Sequence, residues 1–494
     1  MRSLFLLFLL SVFSSPIIAQ KVFDFNAQCQ QAYREIIQLK LNNGKRILEE
    51  EKKNHPNNLI PDFLDNYIDF FILFFNEDPA EYKIRKDNLE KRIQLMDKGP
   101  ESSPLFLFTK SIIHFQWAAV KIKFGNNWDA GWGFRRSFLL SKENQKKFPS
   151  FAPNEMLFGA MQVAAGTIPE GYKWLSSLLG IKGSIKTGMK QLENFLSEND
   201  SWAALYREEA IFYYLYLKFY IENKKDEVFA FITQKNLDVR NNHLFTYLAA
   251  NLGVNNQQSD YALHILSQMN NDAAYLNMPL WDMEIGYARL YHLEPDAADQ
   301  LKKFLSDFKG KFYVKEVLQR LSWYYYLQGD QQKANEQRKL ITEKGGLETE
   351  SDKQAQKEAI SGKWPNKLLL KARLLNDGGY HQEALQILQG KGSSDFLLPE
   401  EQLEFAYRLA RIYDDLGRKE EAISAYLTAM KLGESRREYF AARAALQIGY
   451  IYEKRQDKNR ALAYFQKCLN MKNHDYKNSL DQKAKAGIAR CSNE

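Results

Sequence analysis

From residue 27 onward the apolar positions of this chain recur at the spacing of an α-helix, and two halves differ in how regular that spacing is. In the second half, Ala262, Ala298, Ala334, Ala384, Ala422 and Ala461 stand 36, 36, 50, 38 and 39 residues apart. Twelve residues before each alanine sits another small residue: Ala250, Gly286, Ser322, Ala372, Ala410 and Gly449. Three units also carry glycine five residues before the alanine, at Gly329, Gly379 and Gly417. Tyr325, Leu375, Tyr413 and Tyr452 follow the small residue by three. Each unit reads as two antiparallel helices. The small residue of the first and the alanine of the second are expected to meet where the backbones come closest, because bulk there would push the helices apart. The glycine ends the first helix, where a left-handed residue is wanted. One such hairpin cannot bury its apolar face alone, so the units stack.

The spacing predicts helical-hairpin repeats over residues 236–345, an insertion loop over 346–365 and further repeats over 366–494. The insertion follows from the 50-residue gap and is rich in Glu, Lys and Gln; it reads as an exposed loop or short polar helix, and as a hinge. A helix near Ser479 to Cys491 looks like a first helix without a partner and would cap the array. Residues 20–235 form a divergent helical region without the alanine rule. There, Ala32 to Lys53 reads as a helix pair broken near Asn42-Asn43-Gly44. The stretch Phe63 to Phe75 is almost wholly apolar and reads as a core helix. Further helices are expected at Leu105–Phe124, Asp129–Ser141, Asn154–Ala165, Gly183–Ser197 and Trp202–Asn223.

The repeated pattern, as in Leu409-Ala410, Tyr413, Gly417, Ala422, Tyr426 and Ala429, resembles the tetratricopeptide repeat. The units around Ala384, Ala422 and Ala461 carry the resemblance best. Cys468 stands where Ala429 stands one unit earlier, and Gln456 replaces the turn glycine. The resemblance implies an all-α fold, an α-α superhelix of stacked antiparallel hairpins, and a tendency to bind proteins. A second stretch, with Gly159-Ala160, Gly166, Pro169, Lys173-Trp174-Leu175, Leu178-Leu179-Gly180, Gly183, Gly188 and Leu192, is similar to a segment of the eukaryotic TTC39/Iml2 family of repeat proteins. That family is non-enzymatic and intracellular; here Ile181 and Ser184-Ile185 depart from its pattern.

The first nineteen residues change the picture of where the chain works. Arg2, the apolar run Leu4 to Phe13 and the breakers Ser14-Ser15-Pro16 read as a secretory signal peptide cut after Ala19, although Ile17 is large for position −3. The chain is therefore expected to be exported, to the periplasm or outside the cell. Cys29, Cys468 and Cys491 are too few and too far apart for a disulfide framework; Cys468 and Cys491 would pair only if neighbouring helices bring them together. A net charge of +7 over 494 residues is too dilute to imply nucleic acid, and membrane contact is not expected.

Candidate chemistry is sparse. Gly183 to Gly188 has the spacing of a phosphate loop but is followed by Met189-Lys190, with no strand before it. The seven histidines make no HxxxH pair, so no metal site, cofactor or enzymatic activity is predicted. Placing each unit on the register of the resembled repeat puts Tyr287, Trp323, Tyr326, Arg373, Tyr407, Arg411 and Tyr450 on the inner, concave wall. Arg373 and Arg411 hold equivalent positions in successive units and suit a carboxylate of an extended peptide. The expected function is an exported non-enzymatic scaffold holding a protein or peptide partner on that face. The aromatic content of 14% raises the alternative of a glycan- or small-molecule-binding solenoid.

Overall fold

The computed structural model describes residues 20–167 and 180–492. The proposed leader and the middle of the Gly159–Leu192 stretch lie outside the described residues. The architecture is all-α: successive helices pack as neighbouring antiparallel pairs that coil into a superhelix. The only β-feature among the described residues is a single bridge between Val22 and Asn58.

All six alanine units are helical hairpins. Unit one pairs His243–Val254 with Ser259–Gln268, unit two Leu280–Tyr291 with Ala297–Asp307, and unit three Val314–Gln328 with Gln331–Glu343. Unit four pairs Lys367–Gly378 with His381–Leu388, unit five Pro399–Asp415 with Lys419–Gly433, and unit six Phe440–Lys454 with Lys458–Asn470. Every alanine and every small residue of the rule is buried. Their meeting, however, is staggered by about a turn. A Cβ on Gly286 would lie 2.5 Å from Leu301, and one on Gly449 would lie 2.5 Å from Phe465. A Cβ on Gly253 would lie 3.4 Å from that of Ala262. Gly286 and Gly449 thus each receive a large side chain from the opposite helix, three or four residues past the alanine, and in unit one Ala262 faces Gly253 on the next turn of the first helix. At these contacts the expected small-on-small meeting is replaced by an interlock of small against large or by a contact one turn along.

The turns are more uniform than their sequences. The residue five before each alanine is left-handed in all six units: Gln257, Leu293, Gly329, Gly379, Gly417 and Gln456. The next residue then donates its N–H back across the turn, as from Arg418 to Tyr413 at 2.8 Å and from Asp457 to Tyr452 at 3.0 Å. The same bond closes the other four turns. This is the helix-ending motif that glycine favours, imposed here on two glutamines and a leucine.

The coil is tight. Gln257, in the turn of unit one, donates to the carbonyl of Asn376 at 3.0 Å and to Asp415 at 2.8 Å. Tyr380 of unit four donates to Asp260 of unit one at 2.6 Å. The insertion contains a helix, Glu350–Ser361, docked by a buried face of Asp352 and Ala355. Thr349 caps it, accepting from Asp352 N at 2.9 Å. Asp352 in turn accepts from the backbone of Tyr313 and Glu316, both at 3.0 Å, at the start of unit three. Lys357 on its far side pairs with Asp475, just before the cap helix Lys477–Cys491. Of the two readings of this segment, loop or short polar helix, the helix is found, docked as a strut through Asp352 and Lys357.

The N-terminal region packs by other means. Its first helix pair, Ala27–Ile37 and Leu41–Asn54, turns at Leu39, which is left-handed and buried, not at Asn42-Asn43-Gly44. Gly44 lies inside the second helix, where a Cβ would lie 2.3 Å from Ile36. The helix Ile60–Asn76 runs through the core, as the Phe63–Phe75 stretch predicts. Pro153–Gly166 and Ile185–Ser197 touch backbone to backbone: a Cβ on Gly188 would lie 2.4 Å from the carbonyl of Gly159. Gly159, Gly183 and Gly188 of that stretch thus allow close packing, whereas Gly180 is left-handed and faces open space. Glu209 is buried and accepts from Tyr33 at 2.6 Å, Tyr213 at 2.7 Å and Tyr67 at 3.0 Å. One apolar core runs from Phe25 to Leu374 across this region and the first repeats, and a second spans Leu403 to Cys491. Cys29, Cys468 and Cys491 are free and buried, so Cys468 and Cys491 do not pair. No described helix is long and apolar enough to cross a membrane.

Candidate binding site

The first helices of units three, four and five face one another across the coil, with the insertion helix between them. They enclose a polar cavity of about 170 Å³, closed at one end by Tyr439, Phe440 and Tyr476. Trp323, only 1% exposed, forms part of its wall. Its indole N–H donates to Glu358 of the insertion helix at 2.7 Å. Gln319 donates to the other oxygen of the same carboxylate, also at 2.7 Å. The guanidinium groups of Arg320 and Arg373 each lie 4.8 Å from the Trp323 ring centre. A cation over an aromatic face is favourable, and more so away from water.

Three arginines and three glutamates line this cavity. Arg320 pairs with Glu316 at 3.0 Å and Arg408 with Glu404 at 2.8 Å, each one turn along its own helix. Arg373 is held more loosely, 3.5 Å from Asp377. Burial pushes the Glu358 carboxyl above its usual range, against the Trp323 hydrogen bond and the nearby arginines. Burial also opposes the charge on Arg320, but Tyr291, Glu316 and Tyr287 around it more than offset this and keep it cationic. The Nε of Arg320 is buried without a hydrogen-bond partner. The arrangement can hold a small group by hydrogen bonds and charge. The described residues contain no group of three or more His, Cys, Asp or Glu placed for a metal.

Of the seven residues placed on the inner wall from sequence, only Trp323 and Arg373 line this cavity. Tyr407 and Tyr287 are buried packing residues, which corrects their expected exposure. Tyr407 fills the gap between units five and six, 5.0 Å from Phe440 between ring centres, and Tyr287 sits under Arg320. Tyr326 stacks on Trp364 at 4.5 Å, and Tyr450 packs edge-on against Phe465 at 5.5 Å. Arg411 is half-buried and bound to Asp415 at 3.1 Å, the same Arg-to-Asp step that Arg373 makes to Asp377. Ring faces that a sugar would need are already covered at Trp323 and Tyr326, so nothing here favours the glycan alternative.

Arg320 and Arg408 were missed by the sequence reading. Each lies three residues before an assigned position, Trp323 and Arg411. One helical turn more of the same face would have found both. Glu358 had no comparable signal, because its helix lies outside the repeat register.

No curated protein matches the chain. Residues 403–434 and 442–475, which cover units five and six, match the tetratricopeptide repeat family. Those two segments share their left-handed turn with the other four units, and the chain thus carries tetratricopeptide repeats over residues 403–434 and 442–475 within an all-α superhelical fold.

Proposed function

We propose that this protein is a non-enzymatic scaffold that holds a protein partner on the inner face of its coil, with one partner side chain seated in the Trp323 cavity. Tetratricopeptide repeats suggest scaffolding of protein–protein contacts. The observation that carries the finer reading is the cavity itself, lined by Trp323 with Arg320 and Arg373 against its ring and by Arg408 beside Phe440. Tryptophan and arginine supply much contact for little lost side-chain freedom, and dominate binding hot spots elsewhere. Arg373, the least firmly paired of the three, is the group free to exchange its partner for an incoming carboxylate. In this reading residues 1–19 are removed on export, and the scaffold works in the cell envelope.

The test is a photo-cross-linking residue placed at Gln354, on the cavity wall, and in a second version at the exposed Lys339. A discrete protein adduct at Gln354 alone, reduced about tenfold by Arg373→Ala, is the expected result. Identical adducts at both positions, or an adduct indifferent to Arg373→Ala, would defeat the reading. The natural protein should begin at Gln20; an intact leader would remove the export part alone.

A further inference from the structure

In the N-terminal region the helix Asn127–Lys147 lies with one side on Pro104–Lys123, and its rotation about its own axis is fixed. Ser111 and Ser137 exchange hydrogen bonds, each hydroxyl donating to the other's carbonyl, at 2.8 and 2.7 Å. One turn and more along, Asn144 donates to the Pro104 carbonyl at 3.0 Å and to Asn154 at 2.7 Å. Ala130, Ser137, Phe138, Ser141 and Asn144 are thereby buried. At about 100° per residue, the opposite side of the helix carries Trp128, Trp132, Arg135, Leu139, Lys142 and Lys146 in one stripe, all within about 40° of a common direction.

That stripe stands open to solvent. Trp128 is 53% exposed and Trp132 41%, and Leu139 is exposed beyond them. The two indoles meet edge-on, 6.1 Å between ring centres, and Arg135 lies 5.8 Å from the Trp132 ring. Lys142 and Lys146 are exposed, and they line one open hollow together with Lys182, which precedes the helix Ile185–Ser197. No acid stands on the stripe; Asp129 and Glu143 both lie to one side of it. Residues 121–190 hold 11 Lys and Arg against 4 Asp and Glu, a surplus equal to the net charge of +7 on the whole chain. The remainder of the chain holds as many acids as bases. Charge that is dilute as an average is therefore concentrated in this segment, and the average, on which membrane contact was not expected, does not describe it.

We propose that this stripe docks the protein on a lipid surface rich in anionic headgroups, with Trp128 and Trp132 seated in the interface and Arg135, Lys142 and Lys146 over the phosphates. Indole suits that boundary, because its ring is apolar and its N–H polar. From Trp128 to Lys146 the stripe runs about 27 Å, so the helix lies along the surface and does not enter it. The complementary charge points to anionic lipid. The layout favours lipid over an acidic protein: a protein hot spot gathers its aromatics at the centre of a rimmed patch, whereas here the indoles stand at one end and the cations follow turn by turn along the rest. None of these residues lines the Trp323 cavity, so docking leaves that cavity free for its partner.

The test is flotation of the chain from Gln20 onward, which keeps every described helix and leaves out the apolar run Leu4 to Phe13 that would itself seek lipid. The vesicles are phosphatidylcholine alone, or phosphatidylcholine with about one third phosphatidylglycerol. The protein should rise with the anionic vesicles only, and less so at high salt. The double variant Trp128→Ser, Trp132→Ser should bind about tenfold more weakly, as should Lys142→Gln, Lys146→Gln. Both should keep the Tm of the unaltered chain, because the changed side chains are exposed. No flotation with either vesicle, equal flotation with both, or a tryptophan variant that floats undiminished overturns the proposal. Retention on immobilised polyglutamate that the tryptophan variant loses, without flotation, assigns the stripe to an acidic protein and overturns the lipid. A dimer in sedimentation that the same variant abolishes assigns it to a second copy of the chain and does likewise. These readouts are independent of partner capture at the Trp323 cavity.

Discussion

The N-terminal region and the repeat array solve one problem, the close packing of helices, in different ways. The array does it with volume. Small residues at fixed spacing are buried between its helices, as where Gly286 and Gly449 take in Leu301 and Phe465, and the same turn closes each hairpin. The N-terminal region does it mostly with bulk and with polar anchors. Glu209 binds three tyrosines, and Asp69 binds Arg92 at 2.6 Å and Asn88 at 2.8 Å. Asn66 joins Gln116 at 2.7 Å and Trp117 at 2.8 Å. A volume rule can be repeated, since each unit needs only its neighbours. A network of named hydrogen bonds cannot, since every member depends on partners far away in sequence.

The sharpest way to break this comparison is Glu209→Ala. It leaves three hydroxyls in the core without an acceptor, and a loss of about 4 kcal/mol is expected in urea unfolding. Hydrogen exchange should show the loss throughout residues 27–235. Confinement to one helix would mean that the network does not hold the region together.

Ala422→Leu is the matching change in the array. Overfilling a fully buried position should cost about 2 kcal/mol. Faster exchange is expected in units five and six and little change before residue 243. Equal loosening of the N-terminal helices would show that the array is not modular in the sense argued.

A third variant, Gln456→Gly, should stabilise. Gln456 is exposed and left-handed, at the position that Gly417 holds one unit earlier. Relief of the backbone strain should add about 0.5–1 kcal/mol, read as a higher urea midpoint with an unchanged slope. A loss of stability would show that the glutamine side chain, not the turn, holds unit six.

These contrasts also explain what could be read in advance. The six hairpins were legible because smallness at a close contact is written directly in residue identity. The left-handed turns were legible at Gly329, Gly379 and Gly417 only. At Gln257, Leu293 and Gln456 the tertiary packing imposes the same backbone on residues that do not advertise it. The first helix pair was misread for the mirror-image reason. Gly44 serves close approach inside a helix, while Leu39 makes the turn and recovers the strain through burial. The helices of the N-terminal region were visible in their periodicity, but its polar networks were not, because Tyr33 and Glu209 lie 176 residues apart. The site was half legible for the same reason. Trp323 and Arg373 follow from the repeat register, whereas Glu358 comes from the insertion, outside that register.

A chain of stacked hairpins usually behaves as a spring, since each joint between neighbours yields a little when the ends are pulled. The contacts from Gln257 to Asn376 and Asp415, and from Lys357 to Asp475, run between turns of the coil and not along it. They act as latches on the pitch. Under tension this molecule should stay stiff until those latches fail and then lengthen abruptly, a mechanical threshold in place of gradual stretch.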